Sequence, residues 1–257
     1  MADDLGVNSV KAVVSEAEWK ARVDLAALYR IVAWHGWDDL IFTHISMRVP
    51  GPEHHFLINP YGLLFEEITA SSLVKVDLEG EIVMESPYSI NPAGFTIHSA
   101  VHAAREDAMC VMHLHTDQGT AVSAQKDGLL PITQTGMIAM GDLAYHDYEG
   151  IALNHDERER IVADLGTKGM MMLRSHGTLT VGKTAAQAYL RMFFLERACK
   201  MQIMAQSGGG ELIHCDEDVQ SKVAGQSNPE GMGLLSEKLV WPGVLRRVDR
   251  NLPGYDA

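Results

Sequence analysis

The sequence predicts an α/β fold, with αβα layering around a largely antiparallel central sheet. Two observations predict it. Along the 257 residues, stretches of helical periodicity alternate with short apolar runs of strand character. In the first third, however, strand-like pieces follow one another directly through turn residues, the pattern of antiparallel hairpins. The length suits one large domain or two small ones.

Residues 1–14 read as a loosely held arm. Ser15 with Glu18 makes a capping box, which satisfies backbone N–H groups at a helix start. The helix it opens shows its period in Trp19, Val23, Ala27, Ile31 and Trp34, and His35-Gly36-Trp37-Asp38-Asp39 turns the chain. Strands are expected over 40–48, 55–59 and 74–83, linked by Pro50-Gly51, Pro60-Tyr61-Gly62 and Glu79-Gly80. Asn91-Pro92 then starts a helix to about Ala104, because Asn caps well and Pro fits the first helical position. His98 and His102, four apart, share one face of it. An apolar strand over 109–116 follows, then a helix over 118–126, and short strands or loop over 130–133 and 137–140. Asn154 caps a further helix that Gly166 stops. The apolar run 169–173 leads into Arg174-Ser175-His176-Gly177. Its methionines at 170–172 read as core strand rather than a copper site, since they adjoin Leu173 in one run. Thr184 and Gln187 open a long helix that Ser207-Gly208-Gly209-Gly210 ends, and those glycines are a stop rather than a phosphate cradle. Residues 211–257 are polar and turn-rich.

Composition narrows the function. The 34 acidic residues against 21 Lys and Arg give a formal charge of −13, which disfavours nucleic-acid and anionic-membrane partners. Cys110, Cys199 and Cys215 make no disulfide framework, and Cys110 reads as packing. The start lacks a secretory pattern, and no apolar run reaches spanning length, so a cytosolic protein is expected.

The chemistry lies in the histidines. In a strand, residues i and i+2 point to the same side, so His113 and His115 project together as half of a transition-metal site. His176 ends the second apolar run. Three histidines with a fourth position open to water or substrate is the economy of a catalytic zinc site; the alternative places His176 on a loop far from the pair.

The chain also resembles the class II aldolase and adducin family over 19–209. The landmarks are Thr43-His44-Ile45-Ser46-Met47-Arg48, Asn59-Pro60-Tyr61-Gly62, His98, His113-Leu114-His115-Thr116 and Arg174-Ser175-His176-Gly177. The resemblance implies a single αβα domain over 15–210, with 211–257 an extension packing on or between subunits. It also implies a homotetramer with sites at subunit contacts. His113, His115 and His176 match the family's zinc histidines, so Zn2+ or another divalent transition metal is the implied cofactor. His44, Ser46, Tyr61 and Gly62 fall at substrate-binding positions.

The departures are specific. The family's aldolases carry a glutamate, a zinc ligand and acid/base, four residues before the position of His98; here that residue is Gly94. Their phosphate-binding serines correspond to Pro92 and Ala93, their loop Asn to His44, and their loop Thr to Tyr61. A tyrosine proton donor falls near Met137. The blocks Asn91–Ala100, 128–132 and 144–150 are similar to the adducin head instead. The implied function is a metal-dependent, aldolase-like lyase for a small sugar-derived or hydroxy-carbonyl compound, the metal stabilising an enolate. The alternative is a non-catalytic, adducin-head-like metal-binding or scaffold protein. His98 is the candidate replacement proton carrier, with a fourth-ligand or packing role the alternatives. Glu85 and the cluster Tyr145-His146-Asp147-Tyr148 are further candidates, the cluster otherwise a hydrogen-bonded loop at a subunit contact.

Overall fold

The computed structural model describes residues 7–150 and 157–257, the side chains of 7–9, 92–94, 229 and 230 excepted. After helix α1 (Val7–Val13), the Ser15 hydroxyl accepts from Glu18 N–H at 3.1 Å and starts α2 (Glu16–His35). Gly36, left-handed at φ 63°, ends it. Leu25, Leu28, Tyr29, Ile31 and Val32 of α2 are fully buried. So is Arg22, whose charge is met by Glu18 and whose remaining N–H groups reach the Ala70 and Leu73 carbonyls.

Strands β1 (His44–Arg48), β2 (Phe56–Ile58) and β3 (Val74–Val76) form an antiparallel meander. Then come α3 (Pro92–Ala104), β4 (Cys110–Leu114), α4 (Asp117–Ser123), α5 (Gln134–Met140) and β5 (Leu143–His146). The chain continues through α6 (Glu157–Leu165), β6 (Met170–Leu173), β7 (Gly177–Gly182) and α7 (Ala185–Ser207). The sheet order is β3-β2-β1-β4-β7-β6-β5, with β5–β6 its parallel pair. Alternation along β4 divides the core. Cys110, Met112 and Leu114 pack with α2 and α7, whereas Val111 packs with Ile97 and Val101 of α3 and Ile161 and Leu165 of α6. Helices thus cover both sheet faces in the αβα arrangement the sequence predicts.

Several elements differ from the sequence expectation. Residues 137–140 belong to α5 rather than a strand or loop, because the Thr133 hydroxyl caps a helix start at Gly136 N–H (2.9 Å). The cluster at 145–148 is not loop throughout: Tyr145 and His146 belong to β5, paired to Met172 and Leu173. Strand β7, absent from the sequence expectation, reads Gly-Thr-Leu-Thr-Val-Gly: its short alternation puts Leu179 and Val181 into the core with α3 and α6, and it is buried over its whole length. The first strand starts at His44, since Leu40 turns at φ 52°, and the third stops at Val76. Asn154 lies outside the described residues. The polar tail holds α8 (Glu217–Gln226), α9 (Pro229–Leu235), a π-helical turn (Ser236–Val240) and α10 (Trp241–Asn251). From α10 and beyond, Trp241, Val244, Val248 and Tyr255 join the α2 core. Among the described residues, no helix is long and apolar enough to cross a membrane.

Candidate metal centre

His113 lies in β4 and His115 just beyond its end, so strand alternation sends both rings to one side. The third imidazole comes from the neighbouring strand pair. The turn from β6 to β7 is closed by the His176 N–H bond to the Leu173 carbonyl (3.1 Å) and by Ser175 at φ 54°. Glycine is required at 177, because a Cβ there would stand 2.4 Å from the Leu114 carbonyl oxygen. That close approach of β7 to β4 sets His176 beside the pair. Ring centroids are then 4.7 to 4.8 Å apart in all three pairings. One nitrogen of each ring lies within 4.8 Å of the other two.

Hydrogen-bond partners assign the proton on two of the rings. His113 Nδ1 is 3.1 Å from the Thr178 carbonyl oxygen, and His115 Nδ1 is 3.0 Å from Asp39 Oδ2. Both partners only accept, so in the neutral rings each Nδ1 donates and each Nε2 is bare. The two Nε2 atoms face each other at 3.0 Å. Two lone pairs at that distance repel, and a shared cation turns the repulsion into attraction. Tetrahedral zinc, with bonds of about 2.0–2.1 Å, holds its ligand nitrogens about 3.3 Å apart. Burial, together with the neighbouring histidines, holds the His113 ring well below its ordinary range, and His176 falls to about 4 for the same reasons. Neutral imidazoles are the form that binds metal. The residues present therefore fit a divalent transition metal.

The other anticipated residues fall at varied distances. His44 is the register partner of His113 across β1–β4 and is buried, with neither ring nitrogen partnered among the described residues. His98 reaches Ser46 from α3 (Nδ1 to Oγ, 2.6 Å). Tyr61 and Gly62 lie on the turn after β2, Tyr61 40% exposed, without a hydrogen bond or ring contact to the three histidines. Glu85 is exposed. Of the 145–148 cluster, Tyr148 makes a ring contact with His176, the centroids 6.2 Å apart. Tyr145 accepts from Leu129 N–H under the Arg174 guanidinium, and His146 is bonded to Asp164.

Two acids escaped sequence reading. Asp39 sits in a turn and orients His115 from 76 positions away. Glu196 is buried on α7, where it accepts from the hydroxyls of Thr116 and Thr178 (2.6 Å for the latter), the residues that flank His115 and bond His113. Nothing local marks either one. Such outer partners hold ligands in orientation and raise their basicity. Asp39→Ala is expected to weaken zinc affinity about 10- to 100-fold by chelator competition, with unchanged far-UV circular dichroism; unchanged affinity would contradict the orienting role.

A family model described as Class II Aldolase and Adducin N-terminal domain matches residues 23–203. A class 2 aldolase-type protein of Caulobacter vibrioides is 67% identical over 257 residues, 99% of each chain. Alpha-adducin of Mus musculus is 45% identical over 219 residues, covering 82% of this chain and 30% of the adducin. The solved L-fuculose 1-phosphate aldolase of Glaciozyma antarctica is 30% identical and covers 92% of each chain at a TM-score of 0.80.

Proposed function

Because the chain belongs to the class II aldolase and adducin family, we propose that it is a metal-dependent, aldolase-like lyase for a small sugar-derived or hydroxy-carbonyl substrate. The observation that carries the reading is the convergence of His113, His115 and His176, with bare Nε2 atoms of the first two aimed at each other and both Nδ1 protons tied back. When bound, a divalent cation, Zn2+ by donor preference, supplies the Lewis acidity that stabilises an enolate oxygen. The protein's own part is orientation: Asp39 and the Thr178 carbonyl hold the rings, and Glu196 holds Thr116 and Thr178. His98 is the candidate proton carrier in place of the family glutamate at Gly94. The substrate is proposed to lack phosphate, since Pro92 and Ala93 stand at the phosphate-binding serines. A homotetramer in the cytoplasm is the proposed setting.

The test is metal content measured together with turnover across aldehydes, hydroxy acids and sugar phosphates. The expected result is about one divalent ion per chain and cleavage confined to unphosphorylated hydroxy-carbonyl compounds. Purified protein without divalent metal would overturn the three-histidine site. The second reading, an adducin-head-like scaffold, is favoured by the identity to alpha-adducin combined with Gly94. Stoichiometric metal without turnover on any member of the panel would select it.

A further inference from the structure

A chain of hydrogen bonds runs from the sheet edge of α3 toward the histidine centre, and its directions can be read from one end. The Ala108 carbonyl only accepts, so His102 Nδ1, 2.9 Å away, donates to it. Burial and the Arg48 guanidinium push the His102 ring down to about 3, which leaves it neutral and its Nε2 bare. The Ser46 hydroxyl lies 2.7 Å from that Nε2 and must give it its single proton. Ser46 Oγ is then left as an acceptor for His98 Nδ1, 2.6 Å away. The proton on His98 therefore sits on Nδ1, and its Nε2 carries a free lone pair.

That lone pair is buried and has no partner among the described residues, and the same holds for both ring nitrogens of His44. The two rings stand edge to face with centroids 6.1 Å apart. His44, Ser46 and His113 share the sheet face on which α3 packs, since i and i+2 alternate together and register partners lie on one side. A buried polar group left without a partner is destabilising, so a pair of such groups is a place where a guest can be held. Two of them side by side, one offering a lone pair and the other an N–H, match what a hydroxyl group needs: it donates to one and accepts from the other.

We propose that the Ser46–His102 relay locks His98 as its Nδ1–H tautomer, and that His98 Nε2 with His44 binds a hydroxyl of the substrate beside the three-histidine centre. The identity of the guest rests on the hydroxy-carbonyl reading above; the tautomer does not. Ser46 and His102 are positioning residues, acting through His98. Their role differs from that of the metal-facing groups, because it decides which substrate oxygen is held rather than how charge is stabilised.

Long-range proton–nitrogen NMR of the zinc-loaded, histidine-labelled full chain reads the tautomer directly, with His98→Gln used for assignment. The expected spectrum shows His98 protonated at Nδ1 and bare at Nε2. Ser46→Ala should release that preference, and Ser46→Thr, which keeps the hydroxyl, should restore it. Titration with dihydroxyacetone or glycolate should move the bare Nε2 signal, because a hydrogen bond to the lone pair perturbs it. An Nε2–H tautomer in the unsubstituted protein overturns the relay whether or not the variants fold, and an Nε2 signal that neither compound moves overturns the binding role. Where turnover is found, Ser46→Ala should lower kcat/KM about 10- to 100-fold, largely regained in Ser46→Thr. Turnover with the wrong tautomer would sink the relay and leave the lyase standing, whereas the expected tautomer without turnover would do the reverse.

Discussion

His113→Ala is expected to abolish tight metal binding and, with it, any lyase activity. Structural zinc sites of four ligands bind with about 10–16 kcal/mol, so one ligand is worth about 3–4 kcal/mol, or a ~10²–10³-fold loss of affinity. His113 is the most buried of the three, and its Nε2 faces His115 Nε2 at 3.0 Å. Its loss therefore leaves a two-nitrogen site. The effect on stability follows by linkage. At a zinc concentration about 100 times Kd, binding stabilises the folded chain by about 2.7 kcal/mol, and a ~10³-fold weaker Kd removes nearly all of that. In thermal unfolding with and without zinc, the parent protein should show a zinc-dependent rise in Tm and the variant almost none. The metal-free variant has an opposing gain, because removing one ring ends the lone-pair repulsion at the centre, which offsets part of the cavity cost. Elemental analysis after dialysis against a chelator gives the independent measure. A His113→Ala protein that retained one tightly bound ion per chain would sink the three-histidine assignment.

Much of the scaffold around that centre is legible in the sequence because it is written locally. Ser15 with Glu18 and Asn91-Pro92 mark helix starts that the structure places at Glu16 and Pro92. The two apolar runs ending in histidine become β4 and β6, and the i, i+2 rule brings His113 and His115 together before any tertiary contact is known. What is not legible depends on long-range pairing. Strand β7 alternates only over Thr178-Leu179-Thr180-Val181 between two glycines, too short a run to stand out from the turns around it, and its burial on both faces comes from lying between β4 and β6 in the sheet. The α5 start rests on one threonine hydroxyl without the acidic partner of a capping box. The C-terminal helix α10 has Trp241, Val244 and Val248 at helical spacing, yet a polar background hides the stripe until α2 is there to receive it. Within the site, Asp39 and Glu196 act across 76 and 80 positions, to His115 and Thr116 respectively. A carboxylate in a turn and a carboxylate on a long helix look the same whether they face water or a threonine hydroxyl, so only folding distinguishes them.

The metal-free protein is expected to unfold in mild acid, with a midpoint near pH 5. Five histidines at and around the centre are responsible, His44, His98, His102 and His113, which are buried, and His176, which is partly buried; His35, also lowered to about 4 by burial, acts in the same sense. Burial lowers each of them, to about 4 for His44 and His176, to about 3 for His102, and well below the ordinary value for His98 and His113. Unfolded, each titrates near 6.5, so below that pH the unfolded chain binds protons that the folded chain refuses. The stability these rings support is present above pH 6.5 and is lost as pH falls toward 4. At pH 5 the loss is about 2 kcal/mol for each ring and about 10 kcal/mol for five, an upper figure because local opening hydrates some of them. Glu196 acts in the opposite sense. Burial raises it from 4.5 to about 7, so it contributes stability at low pH that is lost as pH rises between those values, and it offsets about 2 kcal/mol of the acid effect. A net loss of about 8 kcal/mol is comparable with the whole stability of an ordinary domain, about 5–15 kcal/mol. Tryptophan fluorescence against pH locates the midpoint, and calorimetry in buffers of different ionisation enthalpy counts the protons, expected to be about four per chain at pH 5.5. Zinc should move the midpoint to lower pH, because bound ligands must be deprotonated. A metal-free midpoint below pH 4, or uptake of one proton or fewer, would show that these rings are hydrated in the folded chain and would remove the basis for treating them as a dry, neutral array.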